Sequence, residues 1–184
     1  MKAIGVNTTS TQTYINLQSQ NFKNQGEFLQ AIGRLINKYT ILLMEKLMEE
    51  LDRKRYEEGM KMRRSVLGDA WVDKATESRT EFTEEWQSFI TRYAWGEVWT
   101  RPGIDRRTRS HMTLALMIAL GRWEEFNLHV VAAFNNGLNE HDIKEIILHA
   151  ACYCGVPAGN NAFAEASATL AKIGRTPKPI GSGL

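Results

Sequence analysis

Only two cysteines occur among the 184 residues, Cys152 and Cys154, with a single residue between them. On a helix their side chains would lie about 200° apart. That is too far round to bridge easily or to act as a redox pair, so no disulfide framework is expected. Both read as small core or helix-packing residues. The chain also lacks a Gly-rich phosphate loop, a His-Glu-x-x-His zinc motif, a Cys-x-x-Cys pair and a Gly-x-Ser-x-Gly elbow, so none of those motif-borne chemistries is indicated. An excess of one charge is missing too. Lys plus Arg is 23 against Asp plus Glu at 21, a net charge of +2, which argues against a dedicated nucleic-acid binder. No apolar run approaches the length of a membrane span, and Met1-Lys2-Ala3-Ile4-Gly5 lacks the apolar core of a signal peptide. The expectation is a soluble, cytoplasmic protein with no nucleic-acid or membrane partner.

What is present is helical patterning. With 43% hydrophobic and 24% charged residues, the composition suits one globular domain with an appendage. Residues 1–25 are polar and without periodicity, and read as a mobile arm. From Glu27, the residues Phe28, Ile32, Leu35, Tyr39, Leu42, Leu43, Leu47 and Leu51 form an apolar stripe. The helix extends to about Arg64 or breaks near Tyr39-Thr40-Ile41. A stripe of this length needs cover, either from its own domain or from another subunit. Gly68 ends the segment. Phe82, Trp86, Phe89, Ile90 and Tyr93 mark a second amphipathic helix, closed by Gly96 and the Pro102-Gly103 turn. Asp105 caps a helix whose interior, Met112 to Leu120, is almost entirely apolar, as expected of a central helix. Trp123, Phe126, Val130 and Phe134 mark the next, stopped at Asn136-Gly137. Asn139 caps a helix carrying Ile143, Ile146, Ile147 and Ala150, and Gly155 and Pro157 terminate it. An Ala-rich helix from about Ala158 to Ile173 is the last, followed by a loose tail. No strand pattern stands out, and the fold class is all-α.

Three sets of polar residues could carry chemistry. Arg122, Glu125 and His129 share one side of a helix at i, i+3 and i+7. A carboxylate one turn before a histidine can hold its ring and raise its pKa, which suits a proton donor; the other reading is a surface Glu–His pair beside a helix cap. Glu145 and His149 repeat the spacing one helix later, with Tyr153 a further turn on. His111 and His141 lie beside helix N-termini and are expected to be solvated. Arg101, Arg106, Arg107 and Arg109 cluster next to Trp95 and Trp99. Arginine clamps carboxylates through two parallel hydrogen bonds, so such a cluster suits a small anionic substrate. The other reading is a solvated helix start, which is weakened because arginines there oppose the helix dipole and call for an anion nearby.

The segment Tyr93-Ala94-Trp95-Gly96-Glu97-Val98-Trp99-Thr100-Arg101-Pro102-Gly103-Ile104-Asp105-Arg106-Arg107-Thr108-Arg109-Ser110 resembles the signature of γ-carboxymuconolactone decarboxylases. So do Met62-Arg63-Arg64-Ser65-Val66-Leu67-Gly68, Ala119-Leu120-Gly121-Arg122, His129, Asn135-Asn136-Gly137, Leu148-His149, and Tyr153-Cys154-Gly155-Val156-Pro157-Ala158. The resemblance runs from about Tyr56 to Gly174. It divides the chain into an arm (1–25), a helical extension (26–55), a family-like domain (56–174) and a tail (175–184).

The resemblance implies the all-helical fold of alkylhydroperoxidase D-like proteins, assembled as homotrimers or homohexamers. It implies cofactor-independent decarboxylation of 4-carboxymuconolactone to the 3-oxoadipate enol-lactone in protocatechuate catabolism, with no metal. The redox branch of the superfamily carries two cysteines where this chain has Arg122 and Glu125, and a glutamate where it has Ser110. On these positions the alternative of a thiol peroxidase or disulfide reductase loses support; a non-catalytic oligomeric binding protein is the remaining alternative. Within the decarboxylase reading, Arg109 or Arg101 clamps the acetate arm of the lactone and His129 with Glu125 handles the proton. Arg122 supports the developing oxyanion, and Trp95 and Trp99 form an apolar wall. His149 and Tyr153 are second candidates for the proton donor.

Overall fold

The computed structural model describes residues 25–176, so the expected N-terminal arm and C-terminal tail fall almost wholly outside the described residues. Within them the chain is helical and contains no strand, as the periodicity predicts. The elements are α1 (Gln25–Leu67), α2 (Asp69–Glu77), α3 (Glu81–Ile90), a π-helical segment (Thr91–Val98), α4 (Arg106–Leu120), α5 (Trp123–Asn135), α6 (Glu140–Cys154) and α7 (Val156–Lys172). No described helix is long and apolar enough to cross a membrane.

The chain divides into two compact units, Met1–Leu51 and Asp52–Leu184. In the described part of the first, residues 25–51 are helical throughout, without the break anticipated at Tyr39-Thr40-Ile41. The later part of the apolar stripe is open: Tyr39, Leu42, Leu43, Leu47 and Leu51 are exposed, while Phe28, Ile32 and Leu35 are half-buried.

In the second unit, local capping chemistry sets most helix boundaries. Asp105 accepts from the Thr108 amide at 2.9 Å and starts α4, and Gly121, at φ 62°, ends it. Asn139 and Asp142 exchange side chain-to-backbone bonds, both 3.0 Å, in a capping box that starts α6. Helices α4 to α7 enclose the main core of Leu114, Ile118, Phe126, Val130, Ile143, Ile147, Ala162 and Leu170. Truncating a large member such as Phe126 to alanine removes about 3–5 kcal/mol of stability. A second cluster joins Val66, Leu67, Val72, Trp95 and Ala132, with Met60, Met62, Trp99 and Leu128 packed against it. It links the end of α1, α2, the π segment and one face of α5.

Gly68, at φ 87°, ends α1 as expected and turns the chain into α2. Two expectations need correction. The helix over Met112 to Leu120 is not buried all round: Leu114 and Ile118 are interior, while Met112, Leu116 and Leu120 are exposed. Helix α4 packs against α5, α6 and α7, and those neighbours cover only one side of it. The aromatic stripe Phe82, Trp86, Phe89 and Tyr93 points outward, and Thr91 and Trp95 take the interior positions.

Candidate active site

Trp95 is buried and Trp99 half-buried, with ring centroids 5.1 Å apart. Both are carried by the π segment, whose wider coil is visible in the Trp99 amide bonding the Ala94 carbonyl five residues back at 2.9 Å. Such segments occur mostly as short insertions, frequently at functional sites. The start of this one is held by Arg63 of α1. Its guanidinium is fully buried and donates to Gln87 Oε1 at 3.0 Å and Thr91 Oγ1 at 3.3 Å. It lies 5.3 Å from the centroid of the Trp71 ring. No carboxylate neutralises it, its Nε has no acceptor, and burial, with the nearby Arg79 charge, pushes its pKa down. Nothing in sequence spacing singles out Arg63 as a buried cation.

His129 stands on α5 next to Leu128 and one turn before Ala132, the two residues that bring this helix into the Trp95 cluster. It is half-buried. Burial pushes its imidazole below the ordinary value, and the Glu125 carboxylate one turn away offsets this only in part. Glu125 does act to raise the pKa, as expected, but burial outweighs it, because Glu125 is exposed and its field is screened by water while the ring is desolvated. Arg122 occupies the N-cap position of α5, and its side chain is exposed.

The four arginines separate into two pairs. Arg106 donates to Asn136 Oδ1 at 3.0 Å and to the Ser65 carbonyl at 2.6 Å, and Asn136 in turn donates to the buried Ser110 Oγ at 2.8 Å. Asn135 donates to the Val66 carbonyl at 3.0 Å. These bonds tie the ends of α1 and α5 to the start of α4, so Asn135 and Asn136 do more than stop a helix. Arg107 pairs with Asp142. Arg109 and Arg101 form no ion pair: Arg109 donates to the Arg101 carbonyl at 3.1 Å, and its Nε is buried without an acceptor. Arg101 itself is exposed. Among the described residues, the anion that the helix dipole calls for is thus present for Arg107 and absent for Arg101 and Arg109.

His149 and Tyr153 are not brought to this place. They lie on the exposed face of α6, rings 5.1 Å apart, while the buried face of α6 belongs to the other core cluster. Cys152 and Cys154 are exposed and free, which corrects their reading as helix-packing residues; the buried positions of α6 are taken by Ile146, Ile147 and Ala150. A groove of about 620 Å³ opens elsewhere, lined by Glu81, Glu84, Glu85 and Glu97 with Arg55, Arg92, Phe89 and Tyr93. Arg55 is paired with Glu97 at 3.1 Å and Arg92 with Asp52 at 2.8 Å, so this groove is a poor fit for an anion. Among the described residues no group of His, Cys, Asp and Glu could hold a metal ion. The residues that suit chemistry are the half-buried His129 and the Trp95–Trp99 pair, whose cluster α5 joins through Leu128 and Ala132.

Comparison with known proteins bears on the same stretch. The model of the carboxymuconolactone decarboxylase family matches residues 84–168, which contain every candidate except Arg63. A 4-carboxymuconolactone decarboxylase from Acinetobacter baylyi is 43% identical over 129 residues, covering 70% of this chain and 96% of that protein. A nitrosuccinic acid decarboxylase from Metarhizium robertsii is 48% identical over 110 residues, covering 60% of this chain and 77% of that protein. A 4-carboxymuconolactone decarboxylase from Pseudomonas putida is 48% identical over 46 residues, 25% of this chain and 96% of that sequence.

Proposed function

Because the chain belongs to the carboxymuconolactone decarboxylase family, we propose that it is a carboxy-lyase that converts 4-carboxymuconolactone to the 3-oxoadipate enol-lactone without a cofactor. The substrate explains how that is feasible. Its departing carboxylate sits on the γ-carbon of an unsaturated lactone. When the carbon–carboxylate bond breaks, the electron pair spreads through the ring double bond onto the lactone carbonyl oxygen, as a cofactor would otherwise allow. A proton delivered to the ring carbon beside that carbonyl completes the product, and CO2 leaves.

The protein then has three tasks: to anchor the acetate arm, stabilise the dienolate oxygen and supply the proton. We assign the arm to Arg109 or Arg101, the oxyanion to Arg122, and the proton to His129 with Glu125 beside it. Trp95 and Trp99 wall the departing carboxylate, because a firm ion pair there would stabilise the ground state and slow the step. Losing one oxyanion donor typically costs about 2.7–4 kcal/mol of barrier. The observation that supports the reading is the half-buried His129 on α5, next to Leu128 and one turn before Ala132, the residues through which this helix joins the Trp95 cluster. Arg101, Arg109 and Arg122, all without ion pairs, support an anionic substrate. The reading places the enzyme in protocatechuate breakdown in the cytoplasm, as a homotrimer or homohexamer with no nucleic-acid or membrane partner.

The similarity to a nitrosuccinic acid decarboxylase favours one second reading, a small nitro-substituted dicarboxylate. There the nitro group would accept the electron pair as a nitronate, and a second carboxylate would remain for the arginine clamp. Incubating the purified full-length protein with fresh 4-carboxymuconolactone, and separately with nitrosuccinate, distinguishes the two. Equal release of CO2 and enol-lactone, with a higher kcat/KM for the lactone, is expected. Lactone binding without CO2 release, or peroxide reduction that disappears in Cys152→Ser, would overturn the proposal.

A further inference from the structure

The outward face of α3 and the start of the π segment carry four aromatic side chains, Phe82, Trp86, Phe89 and Tyr93, exposed by 95%, 59%, 53% and 58%. They follow one another at spacings of four, three and four residues and form a continuous row. The Trp86 and Phe89 rings stack at 5.8 Å and the Phe89 and Tyr93 rings at 5.7 Å. A 4-3-4 spacing is the seam pattern by which one helix receives another. Along the row, Arg79 pairs with Glu84 and Arg55 with Glu97. Glu81 and Glu85, one turn apart, have no basic partner. None of these residues belongs to the proposed catalytic site.

The first unit carries a matching element. Leu29, Ile32, Ile36, Tyr39 and Leu43 follow one another at spacings of three, four, three and four, and Leu29, Ile36 and Tyr39 are each 62% exposed. The seam from 29 to 43 is about 22 Å long and the aromatic row from 82 to 93 about 18 Å, at 1.5 Å per helical residue. On the same segment Arg34 and Lys38, again one turn apart, have no acidic partner. One chain therefore holds two largely open apolar seams of similar period and length, Ile32 alone being half-buried, with charges of opposite sign at the same one-turn interval that are unpaired among the described residues. Apolar rows of this extent on a protein surface mark interaction sites.

We propose that residues 29–43 of one copy pack along the Phe82–Tyr93 aromatic row of a second copy, with Arg34 and Lys38 opposite Glu81 and Glu85. The inference rests on the homo-oligomeric part of the proposed function and adds the surface that joins the copies. It makes the N-terminal extension a self-association element, independent of the decarboxylation chemistry.

The test uses full-length protein in which Trp86 is replaced by the photoreactive amino acid p-benzoylphenylalanine. Isotopically heavy and light preparations are mixed, re-equilibrated and weighed by light scattering before irradiation. Cross-links should join position 86 of one isotopic form to peptides within 29–43 of the other. Cross-links to another part of the chain, or confined to the same copy, or absent from an oligomer of normal mass, would overturn the proposal. A monomeric mass would instead remove the homo-oligomeric reading itself, and this inference with it. As an independent measurement, Arg34→Glu with Lys38→Glu should weaken association about fivefold or more, the scale of one or two exposed ion pairs. Adding Glu81→Lys and Glu85→Lys should restore it, whereas additive weakening would contradict the pairing.

Discussion

Gly59 of α1 and Gly96 of the π segment meet backbone to backbone. A methyl group on Gly59 would stand 2.9 Å from the Gly96 nitrogen and nearer still to the Thr91 carbonyl, and one on Gly96 would overlap the Arg55 carbonyl. This contact sets how closely the helix bearing Trp95 and Trp99 approaches α1. Overpacking at such a point costs about 1–3 kcal/mol and sometimes more. Gly59→Ala and Gly96→Ala should each lower the unfolding free energy by that amount, read as a lower urea midpoint at unchanged slope, and red-shift the tryptophan emission as Trp95 gains water. An unchanged midpoint in both variants would mean that the crossing is looser than the structure places it.

Arg63 gives a prediction of the opposite sign. A buried guanidinium held only by neutral partners carries its desolvation cost without a carboxylate to repay it, and replacement of buried ions by apolar groups of similar volume is often neutral or stabilising. Arg63→Met should unfold at or above the wild-type urea midpoint. Arg63→Ala, which leaves a cavity, should lose about 2–5 kcal/mol. A methionine variant as unstable as the alanine variant would show that the hydrogen bonds to Gln87 and Thr91 outweigh the cost of the charge.

The lowered pKa of His129 has a pH signature. Its folded value lies below the unfolded value near 6.5, so around that pH the unfolded chain binds more protons. The stability that the neutral buried ring provides is complete above about pH 6.5 and is lost as pH falls through that value towards the folded pKa. Urea midpoints measured from about pH 7.5 down to 5.5 should fall for wild type, and His129→Gln should flatten the profile. Equal slopes would place the titration elsewhere.

Arg109→Lys keeps the charge but loses the planar fork. With no carboxylate of its own to satisfy, Arg109 is available to the substrate, and the variant should raise KM for the lactone more than it lowers kcat. If neither changes, Arg109 serves only its bond to the Arg101 carbonyl, and Arg101 becomes the clamp.

Local chemistry was readable from the residues. The caps Asp105 and Asn139 and the stops at Gly121 and Gly155 act within one turn, and the boundaries of α4 to α7 followed from them. The resemblance to the family pointed to His129, Trp95 and Trp99; the two tryptophans share one cluster, which the helix carrying His129 joins through Leu128 and Ala132. What stayed hidden depends on distant partners. The π segment answers to the Gly59–Gly96 contact, between residues 37 positions apart, and Arg63 is buried only because α1 lies against Gln87 and Thr91. Periodicity also says which face of a helix is apolar, not what covers it. The stripes over 29–51 and 82–93 and the outer side of α4 were therefore legible as stripes and not as open surfaces. The same gap explains the cysteines, which lie on the uncovered face of α6.

The central claim is that His129 protonates a cofactor-free dienolate beside the Trp95–Trp99 wall. The most direct measurement follows CO2 and enol-lactone formation from 4-carboxymuconolactone in deuterated water, for wild type and for folded His129→Ala. The account predicts one CO2 per enol-lactone and one deuteron on the ring carbon beside the carbonyl. It also predicts a kcat lowered about 10²–10⁴-fold in the variant. Near wild-type turnover by a folded His129→Ala protein would contradict it.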